Sequence, residues 1–319
     1  MMNDIGLFLQ TAIIMGTPML YATLGEILAE RSGSLNLGVE GMMMTGALAG
    51  FLVGTTTNSP LLAVLCAGLV GAMGSMIFAV LTVSLKANQL VAGFVLTIFL
   101  SGLANLIGSG YGNSTLPKTF TSKISAIHIP GLSEIPLLGP AIFEQSILVY
   151  LGILTAVVLW LYMNKTRFGL SLRVVGENPS FADNAGIPVT LYKYVHIGAG
   201  GFLAGVGGSC LTLLIVPRWM ESITAGMGWI SIALVIFALW SPARAVFGAY
   251  FFGALRGLVF KLQSAPITIS GKAFYIPAQI LDLLPYLMTI LVLVLITLGK
   301  RKENRPPLWL CRPYFREDR

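Results

Sequence analysis

The side chains best placed to meet a polar solute are Asn88, Gln89, Thr97 and Asn105, which share one apolar run. The last three recur at i, i+8 and i+16, which on a helix of ~3.6 residues per turn steps them round by about 80° each, over an arc of about 160°. Aligned amides and hydroxyls suit the hydroxyls and ring edges of a polar solute. They suit equally a hydrogen bond to a neighbouring helix, worth ~0.6 kcal/mol on average inside a membrane. Phe94 and Phe99 offer rings for stacking on the same run, although phenylalanine there serves as readily for plain core or lipid contact. Glu40 stands near the start of another apolar run, where burial of a carboxylate is costly and points to function. It either lines a pathway or caps a chain break at Gly38 and Gly41. Asn36 fits the satisfaction of backbone groups freed by a broken helix, with solute contact as the alternative.

Nothing in the sequence suggests covalent chemistry. G-x-S-x-G, H-E-x-x-H, a CxxC pair and the G-x-x-x-x-G-K-[ST] phosphate loop are all missing. No catalytic residue is assigned, and any ATP hydrolysis belongs on another chain. Cys66, Cys210 and Cys311 are odd in number and far apart, and His128 and His196 share no ligand spacing with them, so no metal site and no disulfide framework are expected.

The elements that must position these groups follow from composition. Of 319 residues, 55% are hydrophobic and 10% charged, against about 25% charged in a soluble domain. Mean hydropathy is +0.83. Too few charges remain to cover a water-facing surface, and apolar runs approaching the ~20 residues of a membrane-crossing helix recur along the chain. The expected fold is an all-α polytopic transmembrane bundle. Spans are expected near 5–24, 38–54, 61–84, 89–110, 144–163, 192–216, 227–240, 244–262 and 279–299: nine crossings within a range of eight to ten, some broken or re-entrant. Gly25 to Leu37 reads as a loop or as part of a broken helix. Residues 1–299 form one membrane domain and 300–319 a basic tail. The first run, Ile5 to Leu24, lacks the flanks of a cleaved signal and reads as a retained helix.

The net charge of +7 is a topology signal rather than a nucleic-acid footprint. Arg31, Lys86, the Lys165–Arg173 cluster, Lys193, Arg244 and the tail fall on one side when the spans alternate, the cytoplasmic side by the positive-inside rule. The loop 111–143 then lies outside, as does 263–276. Arg256 fits poorly: inside a span it snorkels with Lys261 or faces a polar cavity. Glycines cluster within the spans, and Gly201-xxx-Gly205 reads as a close-packing face.

The segment 164–191 is polar and too long for a simple helix–helix connection. Within it Asn178 can cap a short helix, Pro179 sits at its first position and Gly186 ends it. Such a rigid surface helix suits docking to a partner, or is a solvated loop helix.

Three segments together resemble the branched-chain amino acid and simple-sugar permease family of ABC importers. They are Gly25 to Gly41 (GEILAERSGSLNLGVEG), Arg173 to Pro179 with Ala185-Gly186-Ile187, and Ile276-Pro277 with Leu284-Pro285-Tyr286-Leu287. Glu26, Glu30-Arg31 and Asn36 to Gly41 most resemble the nucleoside branch. The likeness runs from about residue 15 to 299. The resemblance implies a transport component that is not itself an enzyme, set in the cytoplasmic (inner) membrane with its C-terminus cytoplasmic. It implies a second, homologous permease chain, cytoplasmic ATP-binding subunits that carry ATP and Mg, and an extracytoplasmic substrate-binding lipoprotein. It further implies that Gly176, Glu177, Asn178, Pro179, Asp183, Ala185, Gly186 and Ile187 form the helix that couples to the ATPase. No cofactor is expected on this chain. Simple sugars or branched-chain amino acids remain alternative substrates. A secondary transporter or channel working without an ATPase is the alternative mechanism, weakened by the scarcity of buried acids and histidines that such carriers use as relays.

Overall fold

The computed structural model describes residues 2–112, 114–128, 130–131, 133, 135, 139–264, 267–269, 272–274, 280, 283–298 and 305–315. Each of the nine apolar runs contains a helix. These are α1 (Met2–Arg31), α2 (Val39–Thr57), α3 (Pro60–Ala79, extended by a wider turn Val80–Ser84) and α4 (Gln89–Gly108). They continue with α6 (Ile147–Lys165), α9 (Val189–Cys210), α10 (Met227–Phe237), α11 (Pro242–Ser264) and α12 (Leu284–Leu298). Short helices α5 (Lys118–Ile124), α7 (Arg167–Glu177) and α8 (Pro179–Asn184) lie in the connections. Most of Ile276 to Leu283, part of the third resembling segment, lies outside the described residues, as do 299–304 and 316–319 of the tail.

Among the described residues six helices are long and apolar enough to cross a membrane, fewer than the nine crossings expected: Ile5–Arg31, Pro60–Ser84, Gln89–Tyr111, Ile147–Lys165, Val189–Ile215 and Pro242–Gln263. The shortfall has a physical cause at α10. Its 11 residues reach only about 16 Å at 1.5 Å per residue, roughly half the hydrocarbon thickness. The apolar run is there, but a non-helical segment interrupts it.

The bundle is organised around α9, which packs against α1, α2 and α3. Its apolar window is 78% buried, against 28% for α6 and 33% for α4. Small residues permit this. A methyl group placed on Gly201 would strike Gly71 of α3, and one on Gly205 would strike Ala67, so the Gly201-xxx-Gly205 face is where α3 and α9 touch backbone to backbone. At the rim, Leu65, Leu69 and Met73 of α3, Ile98 and Leu106 of α4 and Leu154 and Val158 of α6 are exposed. Surfaces this apolar suit hydrocarbon as solvent. Single spans such as α6 separate two ends: α5 and the strand pair Ile127–His128/Glu144–Gln145 at one, α7 and α8 at the other. Arg31 lies within electrostatic range of Arg173, Glu177 and Arg244, and Lys86 within range of Lys193. Much of the basic charge therefore collects at the α7–α8 end. Arg256 is half-buried on α11.

Candidate translocation site at two helix breaks

Two of the places where the chain leaves helical geometry lie beside α4, and in an apolar medium each freed backbone group must find a partner. The first break, residues 32–38, joins α1 to α2 and turns at Gly33, whose φ of +84° lies where glycine is at ease. Its side-chain partners come from α1, from α4 and from the break itself. The Asn36 N–H donates to Glu26 Oε1 at 2.8 Å, and the Leu35 N–H to Gln89 Oε1 at 2.9 Å. Thr97 Oγ1 donates to the Leu37 carbonyl at 2.7 Å, and the Gly38 N–H donates to Asn36 Oδ1 at 2.9 Å. Gly93 lets α4 come this close: a methyl there would lie 2.7 Å from the Leu37 nitrogen.

The second break, residues 216–226, joins the wide last turn of α9 (Leu211–Ile215) to α10. Ser222, Ala225 and Gly226 all have positive φ, of 52°, 44° and 78°, a strained setting for the two non-glycines. The first half of this break pairs with residues 114–116, the Leu116 N–H donating to the Pro217 carbonyl at 2.9 Å and the Trp219 N–H to the Ser114 carbonyl at 3.4 Å, and one carboxylate holds its second half. Glu40, 8% exposed in the first turn of α2, accepts from Thr224 Oγ1 at 2.6 Å and the Gly226 N–H at 2.9 Å through Oε1. Through Oε2 it accepts from the Gly228 N–H at 2.6 Å. The negative group thus sits at the positive end of α10. The far end of α10 is held by acids and bases of α1: Trp240 Nε1 donates to Glu30 Oε2 at 2.6 Å, and Arg31 donates to the Trp240 carbonyl.

Of the six residues singled out as lining a pathway, Asn36, Gln89 and Thr97 converge on the first break, and Glu40 links the start of α2 to the second. Asn105 Oδ1 accepts from the Ser222 N–H at 3.3 Å, also at the second break. Asn88 caps its own helix, accepting from the N–H groups of Leu90 and Val91 at 2.9 and 3.2 Å. Beside the start of α10, the half-exposed Phe94 lies 6.1 Å from the ring of Trp229, leaving aromatic surface next to the two breaks. Phe99 is exposed on α4.

At the α7–α8 end, Asn178 Oδ1 accepts from the Phe181 N–H at 3.0 Å as the cap of α8, with Pro179 following. Gly186 at φ +78° closes the helix: its N–H reaches the Asp183 carbonyl at 3.0 Å and the Ile187 N–H reaches Ala182 at 2.9 Å, a Schellman turn. Gly176 is buried against the Arg31 carbonyl, Glu177 and Ala185 are exposed, and Ile187 packs with Ala182 and Val175. Phe181 points outward, 62% exposed.

Sequence reasoning missed Thr224, Gly226 and Gly228 as partners of Glu40, Trp229 beside Phe94, Trp240 on Glu30, and α7 as a helix. The available signal was the polar, glycine-flanked stretch Glu221 to Gly228 between two apolar runs.

Residues 8–293 match the family described as branched-chain amino acid transport system / permease component. The chain belongs to this family. Three relatives extend the match along nearly the whole permease. TsgC13 of Haloferax volcanii, provisionally named a glucose ABC transporter permease, is 36% identical over 89% of this chain and 90% of its own. The nucleoside ABC transporter permease NupC of Lactococcus lactis is 35% identical over 93% and 94%. The guanosine ABC transporter permease NupQ of Bacillus subtilis is 31% identical over 91% of each. Membership agrees with the resemblance carried by Gly25–Gly41 and Arg173–Ile187, and makes this chain a permease component of an ABC transporter.

Proposed function

We propose that this permease is the membrane subunit of an ATP-driven importer for nucleosides, and that solute passes along the two helix breaks by alternating access. The observation that carries the reading is Glu40, one carboxylate holding the strained second break and the start of a half-length helix against α2. A segment so held is suited to move as a unit when the bundle rocks. The amide and hydroxyl groups of Asn36, Gln89, Thr97 and Asn105 border this region, and Phe94 with Trp229 supplies a flat apolar face for a base. The names of NupC and NupQ support a nucleoside; that of TsgC13 supports a sugar as the second reading.

In this reading the α7–α8 end and the C-terminal segment face the cytoplasm, as the basic charge gathered there favours. The segment Gly176–Ile187 seats in an ATPase subunit, with Phe181 as its apolar contact. ATP and Mg are held by that subunit. A second permease completes the pathway, and a binding lipoprotein delivers solute at the α5 end. ATP binding closes the ATPase pair, pushes α8 and tilts the two permeases about the breaks.

The test is uptake of labelled uridine and guanosine into vesicles holding this chain with its native neighbours. Uptake should require ATP, persist with a protonophore present, and resist excess glucose or leucine. Phe181→Glu should release the ATPase while the chain stays inserted. Uptake by the chain without an ATPase, or uptake stopped by a protonophore at clamped ATP, would replace the reading with a secondary carrier. Stronger competition by glucose would make the solute a sugar.

A further inference from the structure

A basic segment beyond the last span would ordinarily lie in solvent or on lipid headgroups. Residues 305–315 instead dock on the bundle along one side, with Pro307 and Tyr314 buried. The Trp309 N–H donates to the Gly176 carbonyl at 3.0 Å, closing on the last turn of α7. The Leu308 N–H donates to Glu177 Oε2 at 3.2 Å. Tyr314, 8% exposed, packs with Val175 of α7, Ala182 of α8 and Val189 of α9, and its hydroxyl donates to Asp183 Oδ2 at 3.2 Å. The segment therefore runs the length of α8 on the side opposite the exposed Phe181.

The same eleven residues reach the first helix break. The Trp309 carbonyl lies against Gly33, Pro307 lies against Gly176 beside the Arg31 carbonyl, and Leu310 packs on the main core. Burial first, then the carboxyl groups of Glu30 and Glu26, push the Cys311 thiol above its ordinary range, which places it beside the end of α1. Lys86, between α3 and α4, lies 5.9 Å over the ring of Phe315.

A six-residue helix has little stability of its own, and α8 is tied to the bundle through Asn178 on one side and the Gly186 turn on the other. Pushed alone, it would yield at those joints. We propose that residues 305–315 are a positioning strap that binds α8 to the end of α1 and the first helix break, so that movement of α8 is delivered to the translocation site rather than lost in its own loops. The proposal rests on the importer reading, in which α8 is the element the ATPase moves. Tyr314 and Trp309 act through α8 and touch no solute.

The test uses the complete complex in vesicles, with ATP hydrolysis and uridine uptake measured on the same sample. Two altered chains are compared with wild type: one ending at Asn304, and Tyr314→Ala. Tyr314→Phe, which keeps the ring and loses the bond to Asp183, serves as the conservative variant. Both altered chains should retain their ATPase and hydrolyse ATP within about twofold of wild type, while uridine moved per ATP falls about tenfold, a coupling loss of ordinary size for linked sites. Tyr314→Phe should recover most of that ratio. A second readout needs no transport: alkylation of Cys311 by a maleimide should be slow in wild type and speed up in Tyr314→Ala. An unchanged uptake-to-ATP ratio in Tyr314→Ala would overturn the proposal, as would a wild-type Cys311 that reacts as fast as in unfolded chain. Failure of the importer reading looks different: the wild-type complex would then lack ATP-driven uptake altogether, and the Cys311 rates would still decide whether the strap is docked.

Discussion

The two helix breaks solve one problem in opposite ways. Residues 32–38 are mostly buried and take their partners from Glu26, Gln89, Thr97 and Asn36, spread over two helices and the break itself. Residues 216–226 are mostly exposed and carry three positive-φ positions; their first half pairs with residues 114–116, and their second half, with the start of α10, gathers on Glu40 through Thr224, Gly226 and Gly228. Distributed support makes a stiff wall, because losing one bond leaves the others in register. Concentrated support makes a segment that shifts as one piece when its anchor shifts. A binding region with one wall of each kind can hold a solute in a fixed frame and still open.

That contrast is breakable. Glu40→Ala removes the acceptor of three donors at once. With charge-assisted bonds worth ~1.5–3 kcal/mol each, initial uptake per inserted chain should fall more than about a hundredfold. Glu40→Gln, which keeps one accepting oxygen, should fall between. Wild-type uptake by Glu40→Ala would mean that the second break is held by something else. Gln89→Leu takes one partner from the first break and strands the Leu35 N–H; a cost of ~1–3 kcal/mol should appear as a lower melting temperature in detergent. The surviving folded chains should still transport. A hundredfold transport defect at unchanged stability would place the flexible wall at the first break instead. Phe94→Ala should raise the half-saturating nucleoside concentration by about three- to tenfold, the size of one lost aromatic contact, with maximal rate and melting unchanged. Asn105→Ala, whose bond to the Ser222 N–H is long and half-exposed, should change uptake by about twofold or less, as one weak hydrogen bond does.

Much of the fold was legible because hydropathy and helix punctuation are local. Each apolar run became a helix, and Asn178, Pro179 and Gly186 bound α8 as their chemistry suggests. The span count was less legible: the apolar run 227–240 reads as a crossing, but its helix starts at Met227, where Glu40 takes the Gly226 and Gly228 N–H groups, and stops at Phe237 after 11 residues. Glu40 itself stood out as costly. Its partners lie 184 to 188 residues away, a pairing that no window along one chain reveals. Asn88 illustrates the converse: a polar residue at the mouth of a run satisfies its own helix. The strap was hidden for a related reason, since a basic, proline-containing segment looks solvated until the surface that buries Tyr314 and Leu310 exists.

The glycine face of α9 bears on how the molecule is made. A membrane helix inserts on its apolarity, but a seam of glycines offers lipid almost no side chain to grip, so α9 gains its stabilisation only by docking against helices already in place. Its partners α1, α2 and α3 all precede it in the chain. They leave the ribosome first and form the groove that α9 enters, and α10 to α12 close over the assembled half. Biogenesis therefore has a natural midpoint at Gly201–Gly205. A bulky residue there is expected to show itself as newly made chain degraded before completion of the bundle, rather than as a mature transporter with a faulty cycle.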